Sequence, residues 1–245
     1  MAGRQVLKIG GSEREAFLQG LVTNDVSRAS DGIVYAALLT PQGKYLADFF
    51  IHETGAHMLL DADAEQAPAL ARRLAMYKLR ADVTIEAADT QVRRGTGPMP
   101  AGALADPRHP DLGWRAYGPD TGDDGTNWDA IRVAHCIPET GIELIPDATY
   151  PLEAGFERLD GVDFRKGCYV GQEVTARMKH KTELRKGFAT VAVTGAAPVG
   201  TVIESGGKSV GTLFTQSGES AIAYLRFDRV AEGMTAGDAQ VTYPA

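Results

Sequence analysis

Three apolar runs separated by two short turn signals constrain this chain more than any other feature. Val34–Leu39 (VYAALL) gives way to Pro41-Gln42-Gly43, Tyr45–His52 (YLADFFIH) to Glu53-Thr54-Gly55, and His57–Leu60 follows. Turns this short join only antiparallel neighbours, so the segment reads as a β-meander. From Ala64 the period becomes helical, with Leu70, Leu74 and Tyr77 on one face, and Val83-Thr84-Ile85 alternates again as a strand. Upstream, Ser12 and Glu15 form a capping-box pattern ahead of Phe17, Leu18 and Leu21, which predicts a helix from Glu13 to about Val22. Strands, helix, then strand is an α+β arrangement, with helices packed on a mainly antiparallel sheet.

Between Arg93 and Asn127 glycine, proline and aspartate dominate, which predicts loops with one strand around Trp114–Tyr117. A helix is expected at Trp128–Ala134. From Lys186 the period is two: Phe188–Val193, Thr201–Ile203, Val210–Phe214 and Ala221–Phe227 are short runs parted by Gly- and Ser-rich turns. That pattern predicts a small β-barrel or sandwich. The chain therefore divides into residues 1–184 and 185–245.

Composition excludes some functions. The 25 basic and 32 acidic residues leave a net charge of −7, against nucleic-acid binding as the main role. No apolar run is long enough to span a bilayer, and the N-terminus lacks a signal-peptide pattern, so a soluble cytoplasmic protein is expected. The 2 cysteines, Cys136 and Cys168, make neither a disulfide framework nor a paired CxxC zinc motif. His135 beside Cys136 reads as packing at an element end, and no metal site is expected.

Cys168 stands in an unusual setting, Arg165–Lys181, RKGCYVGQEVTARMKHK. Gly167 and Gly171 are suited to positive φ or to close approach of another chain or ligand. A helix opening at Gly171 or Gln172 would present free amides and a positive dipole end to an anion, with Arg165 and Lys166 adding to the field. A thiol among cations ionises more readily, and Tyr169 offers a face for stacking. Plainer readings stand beside these: Glu173 and Arg177 as an i,i+4 ion pair, Cys168 as a small buried hydrophobe.

Lys166–Glu173, KGCYVGQE, with Ala176-Arg177 after it, resembles the signature of the YgfZ-type folate-binding proteins. That family is related to the aminomethyltransferase (T-protein) of the glycine cleavage system and includes mitochondrial iron–sulfur assembly factors. Phe17–Val26 (FLQGLVTNDV), Pro41–Asp48 (PQGKYLAD), Tyr77–Arg80 (YKLR), Asp106-Pro107-Arg108 with Gly113-Trp114-Arg115, Arg132 with Ile137-Pro138-Glu139, and Pro151-Leu152-Glu153 continue the likeness in order.

The resemblance implies a T-protein-like folate-binding fold, with ferredoxin-like α/β portions, a central cavity and a small C-terminal β-barrel. It implies tetrahydrofolate or a derivative as ligand, with Asn24, Asp48, Tyr77 and Arg80 near the cavity. Lys166, Tyr169, Gln172, Glu173 and Arg177 are implied as further contacts. Asp48 matches the carboxylate that assists one-carbon chemistry in the transferases. Ala134 falls where the T-protein has an acid, which moves the expected pterin anchor to Glu153. Cys168 is then the working thiol, including as ligand of a transient iron–sulfur cluster shared with a partner. The implied role is an accessory protein for iron–sulfur assembly, with assembly or client proteins as partners and no nucleic acid or membrane. The alternatives are a folate-dependent one-carbon transferase using Asp48 and a folate-independent interaction module.

Overall fold

The computed structural model describes residues 3–120, 122–180 and 183–243; Lys181, at the end of the quoted cysteine segment, lies outside them. The expected meander is present and belongs to a five-stranded antiparallel sheet. Its strands are β1 (Arg4–Gly10), β2 (Ile33–Leu39), β3 (Tyr45–Glu53), β4 (Met58–Asp63) and β5 (Thr84–Ala87), in the order β2-β3-β4-β1-β5. β1 has no turn signal of its own, and only long-range pairing with β4 and β5 reveals it. Helix α1 is shorter than expected, Arg14–Gln19, and Ser12 does not cap it. The Ser12 amide and hydroxyl instead donate to Asp82 Oδ2 at 3.0 and 2.7 Å. Helix α2 runs Ala67–Lys78 with Pro68 in its first turn, where a missing N–H costs nothing.

All seven residues of β2 are buried, and the period of two sorts them between two cores. Val34, Ala36 and Leu38 join Phe49, Ile51 and Leu60 against Leu18 of α1 and Leu70 and Leu74 of α2. Tyr35, Ala37 and Leu39 face the other way with Tyr45 and Phe50, against Ile137, Leu144, Phe156, Leu159 and Tyr169. An antiparallel sheet usually leaves one face wet. Here the second face is covered by the turn-rich segment 135–171, which is why VYAALL carries no polar alternation.

The region expected to be loops with one strand is instead a second sheet. It comprises β6 (Gln91–Gly95), β7 (Leu104–Ala105), β8 (Trp114–Gly118) and β9 (Gly122–Asp123), in the order β7-β8-β6-β9. Two of these strands are only two residues long, too short to leave an apolar pattern to read. Helix α3 (Trp128–Ala134) is capped by Asn127, whose side chain accepts from the Ala130 amide at 3.1 Å. Helix α4 (Gln172–His180) follows the glycine segment.

β10 (Lys186–Thr194), β11 (Val202–Ser205), β12 (Lys208–Ser217), β13 (Ser220–Arg226), β14 (Met234–Ala236) and β15 (Ala239–Thr242) close into a barrel. Closure leaves no edge strand exposed. Val191, Ile203, Leu213, Leu225 and Val241 fill its interior. Among the described residues no helix is long and apolar enough to cross a membrane.

Candidate functional site

Three sequence segments far apart in the chain interlock around Cys168. Lys166 is buried, and its Nζ donates to the carbonyls of Gln19, Val22 and Asn24 at 2.8, 2.6 and 3.0 Å. Three protons meet three acceptors, so the side chain closes the end of α1 rather than facing a ligand. Burial pulls its ammonium down to about 8 against the opposing effect of Asp25 and Asp163. Asn24, also buried, donates to the carbonyls of Tyr35 (2.8 Å) and Asp160 (2.6 Å), and its Oδ1 accepts from the Asp25 amide. Tyr169 packs in the second core with its ring 5.2 Å below the Lys166 Nζ.

On the other side, α4 opens against the PQGK turn. Gly171 has φ +82, and a Cβ there would lie 2.5 Å from the Thr40 carbonyl oxygen. Gly43, with φ +74, likewise faces Val174 at 2.8 Å. These glycines permit contact between two chain segments, whereas Gly167 has neither a positive φ nor a close neighbour. Gly171→Ala is therefore expected to cost at least the roughly 1–2 kcal/mol of a left-handed non-glycine residue, with more from the carbonyl clash. Denaturant unfolding measures it; an unchanged midpoint would show that the turn yields freely.

Between these two anchors Cys168 is exposed. Of the cations expected around it, Lys166 is turned inward to the three carbonyls, and Arg165 is exposed with its Nε 3.7 Å from Asp163. Cys136 differs: burial raises its thiol to about 11. Gln172 is half-buried at the start of α4, while Glu173 and Arg177 are exposed and form no ion pair with each other.

A second feature is a polar cavity between the two sheets. Asp48 lies in its wall, buried, with Oδ1 accepting from Tyr45 (2.7 Å) and Thr140 and Oδ2 from Tyr35 (3.1 Å). Burial and the Asp48 charge raise both phenols well above their ordinary range, so they remain donors. Tyr45 reaches the same face as Asp48 because the β2–β3 pairing shifts register there, with Leu38 opposite Ala47 but Leu39 opposite Tyr45. Such a bulge re-aims a side chain.

Arg4, Arg94, Arg108, Arg115 and Arg132 share the lining of this cavity with Asp63, Leu112, Trp128, Pro138, Glu139 and Thr140. Most are matched to buried acids. Arg115 bridges Asp61 (2.8 Å) and Asp106 (3.0 Å) and stacks 3.6 Å from the centroid of Phe50. Arg4 holds the other oxygen of Asp61 at 2.6 Å, and Arg108 holds Asp106 at 2.8 Å. Burial alone would raise the Asp106 carboxyl, but Arg108 and Arg115 keep it well below the usual carboxylate range. Arg132 reaches Glu143, a buried acid nine residues beyond Ala134, at 2.5 Å. Arg94 lies 4.2 Å over the Trp128 ring, and burial beside Arg115 lowers it to about 10. An adjoining cleft of about 560 Å³ shares Asp63, Trp128, Glu139 and Thr140 with the cavity.

Of the sequence-predicted residues, Asp48 lines the cavity, while Asn24, Lys166, Tyr169 and Gln172 gather around the Cys168 segment. Tyr77 packs half-buried on the first core, and Arg80 is exposed just past α2. Glu153 accepts from the Tyr224 hydroxyl at 2.6 Å, joining the body to the barrel. Tyr35, Tyr45 and Thr140 were not foreseen as partners of Asp48, and Asp61 carried no signal. The DPR and GWR segments did mark Asp106, Arg108 and Arg115.

The CAF17 C-terminal β-barrel domain family matches residues 185–244. The human protein named iron-sulfur cluster assembly factor IBA57, mitochondrial, is 30% identical over 276 aligned positions, covering 93% of this chain and 77% of that protein. The IBA57 homolog of Mycosarcoma maydis is 32% identical and covers 75% of this chain, though the match spans only 54% of the fungal protein. Among solved structures, glycine cleavage system aminomethyltransferase T from Bartonella henselae superposes with a TM-score of 0.73 at 13% identity, over 97% of this chain and 81% of that one. That likeness shows the fold, an α+β T-protein-like arrangement with a C-terminal barrel. The cytoplasmic setting expected from the sequence is corrected by the names of the curated relatives, which assign them to mitochondria.

Proposed function

The chain belongs to the family of the iron–sulfur cluster assembly factor IBA57, and from that premise we propose that it supports assembly or repair of iron–sulfur clusters in client enzymes through Cys168. For this chain the YgfZ-type label is an approximate one. The observation that carries the reading is an exposed thiol on a segment braced at both ends, by Lys166 and by Gly171. On losing its proton such a thiol ligates iron. One thiolate cannot hold a cluster that ordinarily takes four, so the cluster is shared cargo whose other ligands come from an assembly or client protein. The test is complementation: in cells depleted of their IBA57-type protein, this chain should restore the activity of a cluster-dependent enzyme. No restoration from a well-expressed, folded chain would overturn the proposal.

A second reading rests on the Asp48 cavity, which supports tetrahydrofolate or a derivative as ligand. The adjoining cleft of about 560 Å³ suits a small molecule, and in the smaller cavity that meets it at Asp63, Trp128, Glu139 and Thr140, Asp48 Oδ2 carries a single hydrogen bond from the protein. Bound there, a folate would supply a carrier for one-carbon units. Anaerobic calorimetric titration with tetrahydrofolate should give saturable binding that Asp48→Asn weakens by about 10-fold or more, the scale of a lost charged hydrogen bond. A folate product that disappears in the same variant would favour the transferase alternative. Absent binding would leave the protein-interaction role alone.

A further inference from the structure

The strongest unassigned cluster lies outside both features, where the turn Pro110–Leu112 meets the end of α3. His109, Asp111 and His135 each present a ligand atom there, all within 4.8 Å of one another. His135 Nε2 is 2.7 Å from Asp111 Oδ2, His109 Nδ1 is 4.0 Å from the same oxygen, and the two imidazoles stack with centroids 3.7 Å apart. We propose that these three side chains form a binding site for a divalent first-row transition metal, of which Zn²⁺ is a representative.

The backbone on both sides is held in place. Leu112 is buried, and Gly113 (φ +62) packs so closely that a Cβ would meet the Gly95 carbonyl oxygen at 2.1 Å. On the other side Arg158 donates to the carbonyls of His135 (2.8 Å) and Cys136 (2.7 Å), fixing the reversal that follows α3. The three side chains themselves remain partly open to solvent and free to adjust. Ligand atoms around a tetrahedral ion with bonds of about 2.0–2.2 Å stand roughly 3.3 Å apart. To close the site the two rings leave their stack and turn their nitrogens toward a common point, a movement their partly exposed positions allow. The existing contacts are ones a metal can replace: the proton between His135 and Asp111, and the 3.2 Å bond from the Asp111 amide to His109 Nδ1. Two imidazoles and one carboxylate are the donor set of zinc and non-haem iron sites, with a remaining position for water.

This site is independent of the Cys168 reading.

The test is calorimetric titration of the full chain with Zn²⁺, paired with visible spectra of the Co²⁺-substituted protein. Expected are one site per chain, tetrahedral Co²⁺ bands, and affinity weakened by roughly 100-fold in His135→Ala and in Asp111→Asn. A Cys136→Ser/Cys168→Ser double variant should bind as before. Circular dichroism and unfolding midpoints without metal establish that each variant is folded; His109→Gln serves as a third ligand test if His135→Ala is not. Absence of binding, binding unchanged in the ligand variants, or binding lost in the cysteine variant would each overturn the site.

Discussion

Exchanging Cys168 for alanine is expected to abolish rescue of cluster-dependent enzymes in cells while leaving the unfolding midpoint unchanged to within about 0.5 kcal/mol. The two halves of that result have separate causes. The thiol is exposed, so its removal opens no cavity and breaks no packing, and substitutions of that kind are nearly neutral. The segment that carries it is held by Lys166 and Gly171, neither of which the exchange touches. What alanine lacks is an iron ligand. Full rescue by the variant would remove Cys168 from the mechanism, whereas lost rescue with lost stability would show a structural role instead. Western blotting of the two forms, alongside the enzyme assay, separates these outcomes.

The largest stability effect is expected at Arg115. Its guanidinium is buried between Asp61 and Asp106 and lies on the face of Phe50. Arg115→Met preserves much of the volume but leaves both carboxylates short of a cation, at a cost of about 3–5 kcal/mol. For a chain of this size each kcal/mol moves the midpoint by about 2–4 °C, so a fall of roughly 10 °C is expected by calorimetry. Arg115→Lys should recover little, because a lysine can neither bridge two acids as a fork nor stack as a plane. The acid limb should move too. Asp106 is held below its unfolded value, so its contribution is present above about pH 4 and lost as pH falls through the folded value. Without Arg115 that loss begins at higher pH. A loss below about 1 kcal/mol would mean that Arg4 and Arg108 suffice for the two acids.

What could be read from the residues was local. The meander, α3 and the first barrel strands follow from period and turn chemistry within about ten residues, and the structure contains them. Of the second sheet only β8, expected around Trp114–Tyr117, was legible, because pairing between strands as short as Leu104–Ala105 leaves no pattern in side chains. Asp48 was found through resemblance, but its hydroxyl partners were not. Thr140 is 92 residues away in the chain, and the register shift that turns Tyr45 inward has no sequence mark. Lys166 is the clearest case of a misread group. Beside Arg165 it looked like part of a surface field, and only the carbonyls of Gln19, Val22 and Asn24 explain its burial.

The Lys166 tie also sets when the site can exist. Its partners lie 142 to 147 residues earlier in the chain, among the longest-range contacts the body makes, and closing so large a loop is favourable only after the intervening sheet has formed. The thiol therefore gains its fixed bearing at the end of folding. A chain caught midway would carry the same cysteine on a slack segment, so the proposed capacity to receive a cluster would mature together with the finished fold.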